Sequence, residues 1–389
     1  MQRLPHSPDP GSPRTTGRRR RVPHDARSTT RIRRHERGHG KEALLSRTLH
    51  TVRTRLTDLA QQAGVSTATV SRVLNGKAGV SSETRQAVLA ALDLLGYERP
   101  EKLRGHSAGL VGLIVPELTN PIFPAFAQAI ESRLSEHGYT PLLCTQSPGG
   151  TTEDEYIEML LEHGVAGIVF VSGLHADTSA SRERYHRLRE RGVPLVMVNG
   201  FAEGVDASFI SNDDVTSMEL AVRHLVSLGH RKIGLAIGQE RYVPVHRKRE
   251  GFAAAIARHL GITDASPHVA TSLFTVEGGA AAAGELVDSG HTGIICGSDL
   301  MALGATRAVR ARGLRTPRDV SVIGFDDSPL IAFTEPPLTT IRQPVTAMGT
   351  AAVTSLVAQI TGETVSRSEI LFHPELVVRE STGVAPSGD

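Results

Sequence analysis

"LTDLAQQAGVSTATVSRVLNG", Leu56 to Gly76, is the stretch that decides the front of this chain. Leu56, Leu59 and Ala60 share one face of a short helix. Ala60 is small enough for a second helix to cross close by. Gly64 takes the positive φ that a tight turn between helices needs. Ser66 stands at an N-cap position, with Thr67, Ala68 and Thr69 in the first turn of the next helix. Val65 and Val70 fill the small core between the two. Two helices joined by a short glycine-containing turn make a helix-turn-helix, in which the front of the second helix enters the major groove. That helix exposes Thr67, Ala68, Thr69, Ser71, Arg72 and Asn75. Thr and Ala suit a thymine methyl, and Arg suits a bidentate pair with guanine. The same spacing also fits a plain helical hairpin that caps a domain.

Working outward, helical periodicity covers 57–63, 67–74 and 82–95, and a basic linker "YERPEKLRGHSAG" runs from Tyr97 to Gly109. The strings "AGVSTATVSRVLN" and "VSSETRQAVLAALDLLGY" together resemble the DNA-binding headpiece of the lactose-repressor (LacI/GalR) family. The resemblance implies that Thr67, Ala68 and Arg72 read bases. Ser66, Thr69, Ser71 and Asn75 would be phosphate-side and orienting groups. It also implies a hinge helix, begun by Pro100, whose Leu103 wedges into the minor groove. A flexible linker without DNA contact is the alternative there.

From Leu110 onward, short apolar runs alternate with amphipathic stretches. The runs are 110–116, 139–144, 166–172, 194–200, 232–238, 293–299 and 320–327. Continuous apolar strands alternating with helices predict parallel sheets covered on both faces. The length of this part favours two α/β subdomains over one sheet. The family resemblance extends from about Leu56 to Arg379 and implies a type 1 periplasmic-binding-protein-like effector and dimerisation domain of two doubly wound subdomains. The expected order is a disordered basic extension (1–51), an all-α helix-turn-helix headpiece (52–97), a hinge linker (98–109), the effector domain (110–381) and a disordered tail (382–389). Chain crossings between subdomains are expected near 201, 342 and 363.

By position in the family, Asp326 and Ser298 would be pocket residues of the second subdomain, and Phe274 its aromatic wall. Lys248 stands where the family usually has Arg, with Arg247 beside it; the two cations are not equivalent in a bidentate role. Asn120, Ile122 and Phe123 would line the first subdomain's side. Asp213 and Asp299 are expected to cap helices, and Asp327 to orient Asp326 or the backbone. His137, His224 and His230 are expected to be structural.

Charge is unevenly spread. Residues 1–55 hold 15 Lys/Arg against 4 Asp/Glu, while the rest holds 28 against 37. The basic front is what a nucleic-acid partner or a disordered arm would produce. A family headpiece begins naturally at Val52, so 1–51 is expected to be a mis-assigned start; a real arm adding phosphate affinity is the alternative. Cys144 and Cys296 lie in apolar runs, which excludes a disulfide framework and a metal-ligand spacing. There is no membrane-length apolar run and no secretory h-region. Dinucleotide, P-loop, nucleophile-elbow and zincin motifs are absent, so an enzyme and a cofactor are not expected.

The whole reads as a cytoplasmic, homodimeric regulator binding palindromic double-stranded operator DNA and a small sugar. "GYERPEKLR", "TQSPGGTTEDEYIEML", "VFVSGLHADT" and "RYVPVHRKREGF" resemble the maltose-regulator branch of the family in actinobacteria, which implies a repressor released by a maltodextrin-type inducer. A purine- or other-sugar-responsive member, an activator and a sugar transport receptor remain as alternatives.

Overall fold

The computed structural model describes residues 56–75, 77, 79–97, 108–146 and 149–387. The basic extension 1–51, the start at Val52, and the hinge at Pro100 and Leu103 lie outside the described residues. The chain divides into two compact units, the first ending at Arg104 and the second beginning at Gly105.

In the first unit, α1 (56–62), α2 (Thr67–Leu74) and α3 (Ser82–Leu94) enclose a small core. Leu59, Ala60, Val70, Val73, Val88, Ala91 and Leu92 are buried in it, with Val65 packed at its edge. Gly64 has φ +65°, and the Val65 amide closes the turn onto the Ala60 carbonyl. Ser66 and Ser81 cap α2 and α3 through bonds from the Thr69 and Thr84 amides.

The second unit opens with β1 (Gly109–Val115), α4 (Ile122–Glu136), β2 (Tyr139–Thr145), α5 (Glu153–Glu162), β3 (Gly167–Val171), α6 (Glu183–Glu190), β4 (Leu195–Val198) and β5 (Ser208–Asn212). It continues through α7 (Asp214–Ser227), β6 (Ile233–Ile237), α8 (Val243–Leu260), β7 (Val269–Thr271), α9 (Val276–Asp288), β8 (Gly293–Cys296), α10 (Asp299–Ala311), β9 (Ser321–Asp326) and β10 (Thr339–Arg342). It closes with α11 (Val345–Ile360), β11 (Glu369–Phe372) and β12 (Glu375–Val377).

Two six-stranded sheets result, ordered β11-β5-β4-β3-β1-β2 and β12-β10-β9-β8-β6-β7. All their pairings are parallel except β10 with β12. Each sheet is doubly wound. The first packs α4 and α11 on one face and α5 and α6 on the other. The second packs α7 and α8 on one face and α9 and α10 on the other.

The chain crosses between subdomains at 212–214, 342–345 and 372–375. The crossing at 342 lies where it was expected. The other two fall about ten residues later than 201 and 363, because β5 ("SFISN") and β11 ("EILF") first extend the first sheet. The tail is also corrected. Thr382 bonds His224, Gly383 bonds Ser321, and the Ala385 amide donates to the Leu228 carbonyl, so 382–385 are fixed against the second subdomain.

Candidate DNA-reading face and effector cleft

The first unit's chemistry lies on α2. Val70 and Val73 turn inward with no exposed area. Thr67, Ala68, Ser71, Arg72 and Asn75 recur at intervals of one and four, which puts them on the opposite face. Of these, Thr67, Ala68, Arg72 and Asn75 are exposed and Ser71 is half-buried. Ser66 and Thr69 hydroxyls bond each other at 2.9 Å, so both are engaged in capping. Asn75 turns back to donate to the Ser71 carbonyl at 2.8 Å. Thr67 and Ala68 in the first turn and Arg72 in the last turn are left exposed; methyl groups and a guanidinium suit base edges. Between 56 and 97, Arg72, Lys77 and Arg85 are balanced by Asp58, Glu83 and Asp93.

In the second unit, the C-terminal strand ends of the two sheets meet. Four non-glycine residues there have positive φ: Ser172 after β3, Asn199 after β4, and Asp326 and Asp327 at the end of β9. At +114°, Asp326 is the most unusual of them. Such backbone strain concentrates at functional sites.

A buried polar chain joins these ends. Gln343, on the second crossing, donates to Asp326 Oδ1 at 2.7 Å and accepts from Asn199 Nδ2 at 2.9 Å. Asn199 Oδ1 accepts the Asn212 amide at 3.3 Å. The Asn212 side chain donates to Asp214 Oδ1 at 3.3 Å, and Lys248 Nζ reaches the same oxygen at 2.7 Å. Lys248 Nζ also lies 3.9 Å from the centre of the Phe325 ring. Asp326 is held well above the usual carboxylate range by burial and by the nearby Asp299 charge.

The residues expected around a ligand are only partly gathered here. Asp326 stands at the meeting of the two sheets. Phe274 is half-buried against Gly238 and Gly297, at the ends of β6 and β8; a Cβ on Gly238 would come within 2.0 Å of its ring. Ser298 is buried, but its hydroxyl caps α10 by accepting the Met301 amide at 3.3 Å. Asn120 is buried and accepts the Ile122 amide at 3.4 Å, while Phe123 is half-buried against the first core.

Ile122 does not fit a pocket lining: it belongs to the first subdomain's core. Neither cation is left open to a ligand. Arg247 chelates Glu369 of β11 at 2.7 and 2.8 Å, tying the subdomains together, and Lys248 is paired with Asp214.

Asp213 caps α7 as expected. Asp299 does not cap. It accepts from Thr340 Oγ1 at 2.7 Å and from the Ser328 amide at 2.6 Å, and burial pushes its carboxyl up to about 6. Asp327 is held by Arg342 and Arg379, both at 2.6 Å, rather than orienting Asp326. His230 lies buried between Thr292 and Ser321, a structural histidine.

Asn199, Asn212, Asp214 and Gln343 were not singled out from the sequence. Their signal was a polar residue closing an apolar strand run, the position at which open α/β sheets gather ligands. Among the described residues, no group of three or more His, Cys, Asp or Glu side chains is arranged to hold a metal ion, and no helix is long and apolar enough to cross a membrane.

Residues 55–100 match the family described as "Bacterial regulatory proteins, lacI family", and residues 222–382 match "Periplasmic binding protein-like domain". The HTH-type transcriptional regulator MalR of Streptomyces coelicolor is 62% identical over 336 residues, 86% of this chain and 98% of MalR. Among solved structures, the transcriptional regulator CelR–cellobiose complex is 33% identical with a TM-score of 0.63, covering 84% of this chain and 99% of that one. The lac repressor dimer bound to operator and the anti-inducer ONPF is 28% identical with a TM-score of 0.62, covering 84% and 98%. An exposed reading helix, a two-sheet domain joined by three crossings and identity at this level lead to one conclusion: the chain belongs to the LacI family of helix-turn-helix transcriptional regulators, a family of DNA-binding proteins rather than enzymes, and is closely related to MalR.

Proposed function

We propose that the protein is a cytoplasmic, homodimeric repressor of carbohydrate-utilisation genes, released from a palindromic operator by a maltose- or maltodextrin-type sugar. The identity to MalR over almost that protein's whole length carries this reading. CelR with cellobiose, and the lac repressor as a dimer on operator, support the sugar, the dimer and the DNA. Two copies of the α2 face would read two half-sites related by two-fold symmetry. Thr67, Ala68 and Arg72 would contact base edges.

The sugar would lay an apolar face on Phe274 and offer hydroxyls to Asp326 and Ser298. In doing so it competes with Gln343 for Asp326 Oδ1. Gln343 lies on the second crossing, so a change of partner there alters how the two subdomains are held. That gives two sites one shared conformational variable, which is what coupling requires.

The test is a mobility shift on palindromic sites upstream of neighbouring sugar-transport genes, with maltose, maltotriose, cellobiose and a purine added in turn. A retarded complex dissolved by maltose or maltotriose is expected. No retardation on any site removes the repressor reading; release by cellobiose or tightening by a purine removes the effector assignment.

A further inference from the structure

Besides the three crossings and the Arg247–Glu369 pair, the two subdomains touch between two loops. The segment after β3 carries Asp177 and Thr178, and the segment after β6 carries Arg241 and Tyr242. Asp177 and Tyr242 form an antiparallel β-bridge. The Thr178 amide donates to the Arg241 carbonyl at 2.8 Å, and the Thr178 hydroxyl to the same oxygen at 2.9 Å. Arg241 pairs with Asp177 at 3.3 Å and lies 4.9 Å from the centre of the Tyr242 ring, with a 2.8 Å bond to its hydroxyl.

The first half of this contact is built rigidly. Glu153, 1% exposed, accepts the Leu174 amide at 2.9 Å and the Tyr185 hydroxyl at 2.5 Å. Burial raises the Glu153 carboxyl above its ordinary range. His175, also 1% exposed, reaches the Val198 carbonyl at 3.2 Å. Gly200 lets the backbone through: a Cβ there would lie 2.6 Å from Ala176. Asp177 Oδ1 then accepts the Ser179 amide and hydroxyl at 2.9 and 2.6 Å. Glu153, His175 and Tyr185 have no part in the readings above, yet together they hold Asp177 and Thr178 at one fixed edge.

The geometry points to a clasp: residues 177–178 and 241–242 latch the two subdomains shut on the side away from the crossings, and the latch breaks as a unit when they open. Sheet order gives its leverage. β3 is two strands from β5, and β6 is three strands from β10, the strands that lead into the first two crossings. At about 4.8 Å per strand the clasp sits about 10–14 Å out from those crossings. A rotation of about 10° at that radius separates its halves by about 1.7–2.4 Å, enough to break its hydrogen bonds. The crossings survive the same rotation because the chain is continuous through them. Asp326 ends β9, which lies between β10 and β6 in the second sheet, so a sugar approaching it from that side passes the clasp. This last step rests on the proposed sugar site; the latch itself does not.

Asp177→Cys with Tyr242→Cys tests both in the full-length protein. Bridged residues stand about 4.5–5.5 Å apart at Cα, within disulfide range. Native Cys144 and Cys296 are buried, and burial raises both thiols. Mild oxidation should form the cross-link without sugar, and hydrogen exchange in the peptides carrying Thr178 and Tyr242 should slow at least tenfold. In the reduced protein those two peptides should exchange at one common rate. Failure to cross-link, or unlinked exchange rates, overturns the clasp.

Association of maltose and maltotriose, followed by stopped flow, should be at least tenfold slower in the oxidised than in the reduced form. Equal rates overturn the gating role. A reduced protein that shows the common exchange rate yet binds neither sugar supports the clasp and sinks the effector assignment instead. Arg241→Ala, at an exposed position, acts oppositely: exchange at Thr178 should rise at least threefold, and an unchanged rate again overturns the clasp.

Discussion

Replacing His175 with glutamine tests how the loop after β3 is held. The imidazole is buried, with Phe170 and Tyr185 edge-on at 6.5 and 6.3 Å. Its Nε2 bonds the Val198 carbonyl, so the proton sits on Nε2, and Nδ1 is buried with no hydrogen-bond partner. A second proton would have to enter a buried site where nothing accepts from Nδ1. Burial accordingly pushes the imidazole down to about 4. In the unfolded chain the same group titrates near 6.5. Between these values the unfolded state binds more protons, so the folded state loses stability as pH falls through the window, by about 3 kcal/mol in all. Above about pH 6.5 the histidine contributes no slope.

Asp299 and Asp326 act with the opposite sign. Their folded carboxyls are raised, so their contribution grows on acidification and is lost as pH rises. The absolute curve is therefore a sum, and only the difference between wild type and His175→Gln isolates the imidazole. Glutamine keeps a donor near Nε2 but has no group to protonate. Urea unfolding of the two proteins, followed by near-ultraviolet tyrosine dichroism at pH 7.5, 6.5, 5.5 and 4.5, gives that difference. It should move in favour of the variant by about 1.4 kcal/mol per pH unit below about pH 6. A difference flat to within about 0.5 kcal/mol across the series, less than half of one such step, refutes the argument.

Arg72→Ala should weaken operator binding by about 1–3 kcal/mol in a mobility shift while leaving headpiece melting unchanged, since the side chain is exposed; Val70→Ala should do the reverse and lower the melting temperature. Lys248→Met leaves Asp214 buried without its cation and should cost about 3–5 kcal/mol in urea titration, with Asp214→Asn added to it recovering more than half. Gly238→Ala forces the Phe274 ring aside and should lower maltose or maltotriose affinity at least tenfold by calorimetry, with little change in operator affinity.

The helices and long strands were legible because their apolar periodicity spans many residues. The front of α2 was legible for a further reason: Ser66, Gly64 and the inward valines are local signals of capping, turn and core. Strands β5, β7, β10, β11 and β12 were not, being only three to five residues long. Missing them displaced two of the three crossings. Partnerships were also invisible. Lys248 and Asp214 lie 34 positions apart and Arg247 and Glu369 lie 122 apart, and no local pattern in a single chain announces either pair. Two cations that read as ligand groups therefore turned out to be committed to carboxylates. Asp326 and Phe274 were singled out through the family resemblance; of the two, only Asp326 also closes an apolar run legible in the chain itself.

The balanced charge of residues 56–97 separates recognition from adhesion. Arg72, Lys77 and Arg85 are the only Lys or Arg among residues 56–97, so that segment by itself offers few groups to displace counterions from random duplex; Arg53, Arg55, Arg99, Lys102 and Arg104, just outside it in the sequence, are the cations that would supply a salt-dependent hold. Sequence-independent hold and base reading would then belong to different stretches of the chain. On the proposed reading, choice of site would depend on whether a thymine methyl and a guanine edge lie beneath Thr67, Ala68 and Arg72, with each wrong base pair costing about 1–3 kcal/mol.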